Sequence, residues 1–467
     1  MLNRTILSLA AAPLLTLTAL PALAQDTPPP ATASAFDTDR MIEAIETEAD
    51  TDRFMGAVLV ARGDEKVLDR AWGSADLEWD IANTTDTKFR IGSVTKQFTA
   101  VSILLLQEQG KLTLDDPISK HLKDTPETWE AITVRHILRH TAGLPNVTSL
   151  DEFGPKSVTP LSQDDLIAMF SPLPLEFEPG SEWKYSNSGY VLASRIVENV
   201  SGESLADFYQ THIFDPLGMK ATGLDVSSRI LPKRADGYSP SGEDKALVNA
   251  GYVYMGIPTG AGALYSTTGD LLKWQRGLFG GKILSAESLA EYVSPTDFEA
   301  FGTSRYAHGV SVFSKDGNTA YAHGGGIQGF NAWLAYDPDR EVTVVVLANL
   351  NGGAATKLGT QLTTLAQGGA VTLPGDRKEV DIPVEELAQY EGTFALSPTF
   401  KIRMFVEDGK LMAQATSQGA NQLFAQSEDS FFLKVVDAEV RFYRDESGEI
   451  TSMTLFQNGQ EMPGAKE

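Results

Sequence analysis

The chain has 467 residues, 42% of them hydrophobic, which is length and apolar content for two or three folding units with a sizeable core. Its formal net charge of -24 would repel nucleic acid, which excludes that class of partner; the same charge keeps a protein in solution. There is no cysteine, which excludes disulfides, a thiol nucleophile, Cys-based metal sites and a lipid-modified N-terminal cysteine.

Residues 1–24 read as a secretory signal peptide. Arg4 supplies the positive start, Ile6 to Leu20 is an apolar run broken by Pro13, and Ala22-Leu23-Ala24 offers the small residues a signal peptidase needs, with cleavage before Gln25. The run is short for a span of about 20 apolar residues, and no later segment is longer. A periplasmic or secreted protein without a stable membrane anchor is therefore expected. Residues 25–36 are a Pro/Ala-rich linker, expected to be disordered.

Residues 37–369 form a long mixed region. It opens with a strand pair, Ala57 to Ala61 and Val67 to Trp72, around a turn at Gly63-Asp64. A helical stretch starts at Ser93, and the middle is mostly helical in pattern, as in Gly189 to Val200 and Leu205 to Ile213. Near the end come two strand-like runs, Phe330 to Tyr336 and Val342 to Ala348, joined by Asp337-Pro338-Asp339. Strands at both ends with helices between predict one sheet assembled from the two ends around an α-rich insert. Residues 370–384 lie in a second linker, the tract Gln367 to Pro383. In residues 385–467 the period changes to two: Ile402, Met404 and Val406 alternate with Lys401, Arg403 and Phe405. Turn signals recur at Asp408-Gly409, Ser447-Gly448 and Asn458-Gly459, which predicts a separate antiparallel β-domain, a small barrel.

Three short motifs carry chemistry. Ser93-Val94-Thr95-Lys96 is an S-x-x-K sequence, which at helical spacing puts Ser93 and Lys96 on one face. A serine hydroxyl is a poor nucleophile until something takes its proton. A lysine can do so when burial lowers its pKa, and Phe98, Val101, Leu104 and Leu105 predict a helix that runs through a core. Roughly two S-x-x-K matches are expected by chance in such a chain. The other is Ser181 to Lys184, which follows Pro179-Gly180 and reads as a loop. Taken alone, Ser93 also suits an ordinary helix N-cap. Tyr185-Ser186-Asn187 adds a phenol that can share a proton with a lysine and an amide that can bind a substrate amide; a loop tyrosine beside a turn asparagine is the plain alternative. His323-Gly324-Gly325-Gly326 precedes the late strand pair, where glycines let a substrate approach a strand edge and a free N–H could hold an oxyanion; a flexible hairpin is the alternative.

These segments, taken with others, resemble the class C β-lactamase and DD-peptidase superfamily. Phe89 to Lys96, His140-Thr141-Ala142-Gly143-Leu144, and Glu178-Pro179-Gly180 leading to Tyr185-Ser186-Asn187 carry the resemblance. So do Pro216-Leu217-Gly218-Met219, Ser266-Thr267-Thr268-Gly269-Asp270 and His323 to Gly325, all in the family's order and over most of residues 37–365. The resemblance implies an α/β (α+β) sandwich, an antiparallel sheet flanked by helices, with an all-α subdomain and the site between them. It implies Ser93 as nucleophile, Lys96 as its proton acceptor, Tyr185 as proton shuttle and Asn187 as a substrate-amide contact. The N–H groups of Ser93 and Gly326 would form the oxyanion hole, with His323 and Gly325 on the substrate-binding strand. It implies no metal and no organic cofactor. Substrates would be D-amino-acid peptides, esters or β-lactams, and the oligomeric state stays open.

One departure bears on substrate. Many β-lactamases of this family have Lys-Thr-Gly where this chain has His323-Gly324-Gly325. Lys315-Asp316-Gly317 reads as a hairpin turn and Lys357-Leu358-Gly359 as helix, so neither replaces it. A neutral histidine recognises a carboxylate less strongly than a lysine does. That, and a C-terminal domain resembling the lipocalin-like appendages of some peptidases and esterases in this group, point to a D-amino-acid peptidase, carboxypeptidase or esterase ahead of a β-lactamase. A penicillin-binding sensor that acylates without turnover is the reading from a different class.

Other matches are set aside. His323 to Gly326 also fits the oxyanion motif of lipases, but no G-x-S-x-G elbow follows it. Gly324, Gly326 and Gly329 form a G-x-G-x-x-G without a strand–helix unit around it. His136 and His140 are four apart on an expected helix, but Ile137 stands where a zinc protease needs glutamate, and both read as structural.

Overall fold

The computed structural model describes residues 36–242, 246–315, 317–434, 438–457 and 460–467. Apart from Phe36, the expected signal peptide and linker lie outside the described residues. Helix α1 (Thr38–Ala49) precedes a hairpin of β1 (Gly56–Arg62) and β2 (Glu65–Trp72), close to the strand pair read from the sequence. Helix α2 (Thr95–Glu108) follows the 3₁₀ turn Gly92–Val94, and α3 (Gln163–Phe170), α4 (Asn187–Ser201) and α5 (Thr268–Phe279) belong to the α-rich insert. Then come β3 (Arg305–Tyr306), β4 (Ser311–Lys315), β5 (Asn318–Ile327), β6 (Phe330–Asp337), β7 (Val342–Ala348) and α6 (Ala354–Ala366).

These strands form one seven-stranded antiparallel sheet, in the order β3-β4-β5-β6-β7-β1-β2. The two ends of the region meet where β7 pairs with β1, Ala57 opposite Leu347 and Val60 opposite Val344. Alternation divides the side chains between two cores. Leu59, Leu334, Val345 and Leu347 face the insert, while Val58, Val60, Val344 and Val346 face α1 and α6. Burial on both faces explains why Val342 to Ala348 is apolar at every position but Thr343.

Eight strands between Gly392 and Lys466 close into a barrel, sealed where Phe394 pairs with Lys466. Asp408 and Gly409, both at positive φ, make the tight turn that their sequence signals; Ser447-Gly448 also lies in a turn, and Asn458-Gly459 lies outside the described residues. Phe394, Met404, Phe431, Phe442 and Met453 fill the interior, and Tyr390 packs its ring against Phe431 and Phe442. Eight strands leave room for little more than such side chains. The strands pair in chain order around the barrel, and the interior is a packed core. Among the described residues no helix is long and apolar enough to cross a membrane.

Candidate active site

Ser93 sits on the 3₁₀ turn ahead of α2, so the helix begins two residues later than the sequence pattern suggests. Gly92 makes that turn at φ +48, and a Cβ on it would come within 2.7 Å of Gly326 N. A Cβ on Gly325 would lie 2.0 Å from Ile91 O. Glycine at both positions is what lets β5 press against the nucleophile turn. Ser93 does not cap the helix; the N-cap is Val94, without a side-chain hydrogen bond.

Lys96, in the first turn of α2, is completely buried. Its Nζ lies 3.0 Å from Ser93 Oγ, 2.8 Å from Asn187 Oδ1 and 2.8 Å from Ala261 O. Burial drives its pKa well below the usual lysine value. The rings of Tyr185 and Tyr190, 4.9 and 5.4 Å from Nζ, favour the cation and oppose that shift without reversing it. The contacts suit a neutral amine. Asn187 Oδ1 and Ala261 O can only accept, and they use both N–H groups, so the lone pair is left facing the Ser93 hydroxyl.

Tyr185 lies in the extended segment before α4, and its hydroxyl donates to Ser93 Oγ at 2.8 Å. Burial raises its pKa, so it holds its proton. Asn187 opens α4, and its Nδ2 donates to Thr148 Oγ1 at 3.0 Å and to Asn146 Oδ1 at 3.3 Å. Both amide ends are thereby fixed.

His140, read from the sequence as structural, brackets Tyr185. Its backbone oxygen accepts from Lys184 N at 3.0 Å, its Nδ1 accepts from Ser186 N at 3.2 Å, and its ring centroid is 4.3 Å from that of Tyr185. It follows the helix Val134–Leu138 at φ +60. The sequence placed it on a helix; the left-handed turn is what swings its ring inward. His136 stays on that helix and closes a capping box with Thr133. The second S-x-x-K is a loop, with Lys184 paired to Glu176.

His323 departs from expectation. It lies inside β5, is 4% exposed, and its Nε2 accepts from Tyr306 OH at 2.9 Å while Nδ1–H donates to Gly324 O. Burial and the nearby Lys96 push its pKa down to about 3, so the ring is neutral. It packs behind Tyr185, ring centroids 6.3 Å apart, and does not line the cavity beside Ser93. The Tyr306 hydroxyl, which nothing in the local sequence announces, is what draws it inward. Lys315 ends β4 at the hairpin and Lys357 is in α6, so neither stands in for it.

A cavity of about 560 Å³ opens from Ser93, with Asn187 and Gly326 on its wall beside Val147, Phe153, Leu166, Val191, Ile257 and Ile327. Sequence reading missed Ala261, Asn146, Thr148 and Tyr306. For Ala261 a signal existed in Gly260-Ala261-Gly262, small residues that admit a close backbone.

A hydroxyl, a buried amine and a phenol converge here at the mouth of a substrate-sized cavity, on a sheet flanked by helices. That combination defines a serine hydrolase. Residues 41–367 match the Beta-lactamase family model, and the chain belongs to that family; residues 376–466 match a domain of unknown function, DUF3471. The chain is 29% identical to penicillin-binding protein 4* of Bacillus subtilis (strain 168) over 435 residues, 89% of this chain and 96% of that protein. Among solved structures, the D-amino acid amidase of Ochrobactrum anthropi SV3 is 25% identical with a TM-score of 0.62, over 71% of this chain and 99% of that one. The octameric penicillin-binding protein homologue of Pyrococcus abyssi, 24% identical, shares the fold over 92% of this chain and 100% of its own, with a TM-score of 0.68.

Proposed function

We propose that the protein hydrolyses ester or amide bonds through an acyl-enzyme at Ser93. The observation that carries this is the set of partners around Lys96 Nζ: two groups that only accept, and one hydroxyl that can give up a proton. Lys96 takes the Ser93 proton as Oγ attacks the carbonyl carbon. The N–H groups of Ser93 and Gly326 hold the resulting oxyanion. Tyr185 gives its proton to the leaving group as the C–O or C–N bond breaks, and recovers one from Lys96. Water then enters, loses a proton to the same pair of residues, and releases the acid and Ser93.

The relatives support cleavage of amides: the amidase neighbour acts, by its name, on D-amino acid amides, and the Bacillus relative is named for binding penicillin. β-Lactam hydrolysis is the second reading, favoured by the family name and disfavoured by the neutral, inward-facing His323. We further propose export to the periplasm or beyond, after cleavage before Gln25. The test is a kcat/KM panel on one sample with p-nitrophenyl butyrate, nitrocefin, a D-Ala-D-Ala peptide and a D-amino-acid anilide. Ester or amide turnover that Ser93→Ala abolishes is expected. Nitrocefin favoured by about 100-fold, some 2.7 kcal/mol of transition-state stabilisation, would overturn the ranking.

A further inference from the structure

We infer that the part of the substrate seated in the cavity beside Ser93 is an uncharged, apolar acyl chain. This rests on the acyl-enzyme reading and narrows it.

No Asp, Glu, Lys, Arg or His lines the cavity among the described residues. The charges close behind its wall are committed elsewhere. Lys96 is held by three neighbours, and Glu152 and Lys156, at either end of the short wall helix Phe153–Lys156, pair with each other at 2.6 Å. His323, in the third motif, is neutral and engaged by Tyr306. A carboxylate entering this cavity would meet no cation, and an ammonium would meet no anion. Either would be desolvated without a partner, which is costly.

The polar groups of the wall are mostly spent within the protein. Thr148 accepts from Asn187 and donates to Asn146, and Ser157 donates to Gly154 O. Asn351 accepts from Gly329 N and donates to Ile327 O. The amide of Gln328 has no partner among the described residues, so it can serve a neutral polar group of the substrate. Most of the remaining side-chain surface of the wall comes from Val147, Phe153, Leu166, Val191, Val253 and Ile257. Such a surface favours methylenes, each worth about a fourfold gain in kcat/KM when buried.

The test compares three p-nitrophenyl esters of one chain length: hexanoate, the monoester of adipic acid, and 6-aminohexanoate. Hexanoate is expected to exceed both charged esters by tenfold or more in kcat/KM. A smaller gap for either overturns the inference. Phe153→Arg should raise the adipate-to-hexanoate ratio and Phe153→Glu the aminohexanoate-to-hexanoate ratio, each by at least about tenfold. Unchanged ratios, in variants whose Ser93 still reacts with a fluorophosphonate, would mean that the acyl chain lies elsewhere. Hexanoate hydrolysis that survives Ser93→Ala would instead sink the acyl-enzyme reading itself, so the two failures are distinguishable.

Discussion

Two β-structures in this chain bury their interiors differently. Among its described residues the barrel buries mainly apolar side chains, and its buried polar groups are the hydroxyls of Ser430, Thr454 and Tyr390, with no buried Lys, His, Asp or Glu. The sheet region buries Lys96, His140, His308 and His323 and keeps a cavity open against a serine. Burying an ionisable group costs stability, and that cost is tolerated where the shifted group has work to do. The contrast assigns packing to one region and chemistry to the other.

The comparison can be broken from either side. The largest expected effect is on the barrel: Phe431→Ala, which removes a ring 4.7 Å from Tyr390 and 5.6 Å from Phe442, should cost about 3–5 kcal/mol in chemical denaturation. The kcat/KM on p-nitrophenyl hexanoate should stay unchanged below the unfolding transition; a fall would tie the barrel to catalysis. Residues 385–467 are further proposed to fold separately, so limited proteolysis should cut between Gly368 and Pro383 and leave a barrel fragment. No surviving fragment would count against it.

The next effect is in the site. Lys96→Ala and Tyr185→Phe should each slow acylation by about 100-fold, measured as the pre-steady-state burst. In the wild type, activity should climb as pH rises through the lowered Lys96 pKa, because the neutral amine is the base. An acid limb that survives in Lys96→Ala would place that titration on another group.

The smallest effect is on acid stability. His323 has a folded pKa of about 3, below the unfolded value of about 6.5. Between these values the unfolded chain binds the extra proton, so stability is full above pH 6.5 and declines as pH falls. At pH 5 the loss from this residue is about 2 kcal/mol. Urea titrations at pH 7 and pH 5 should show that the wild type loses more than His323→Asn by this amount. Equal losses would show that His323 is not held neutral in the fold.

Much of this was legible in the sequence, because it depends on local spacing. The i, i+3 separation of Ser93 and Lys96, the period-two run at Lys401 to Val406 and the run at Val342 to Ala348, apolar but for Thr343, each encode their own geometry. The partners of Lys96 were harder to read. Ala261 contributes a backbone carbonyl across 165 residues, at which only the small residues Gly260-Ala261-Gly262 hint. His323 was visible as a motif residue, but a strand pattern reports which face a side chain takes and not whether Tyr306 waits beneath it. His140 turns inward through a positive φ that a His-Thr-Ala-Gly sequence does not announce.

The central claim is a covalent intermediate on Ser93, and the most direct measurement is mass spectrometry of enzyme quenched during turnover of p-nitrophenyl hexanoate. The wild type should carry one hexanoyl group on the peptide containing Ser93, and Ser93→Ala should carry none and turn nothing over. An acyl group on any other residue, or turnover by Ser93→Ala at the wild-type rate, would contradict the account.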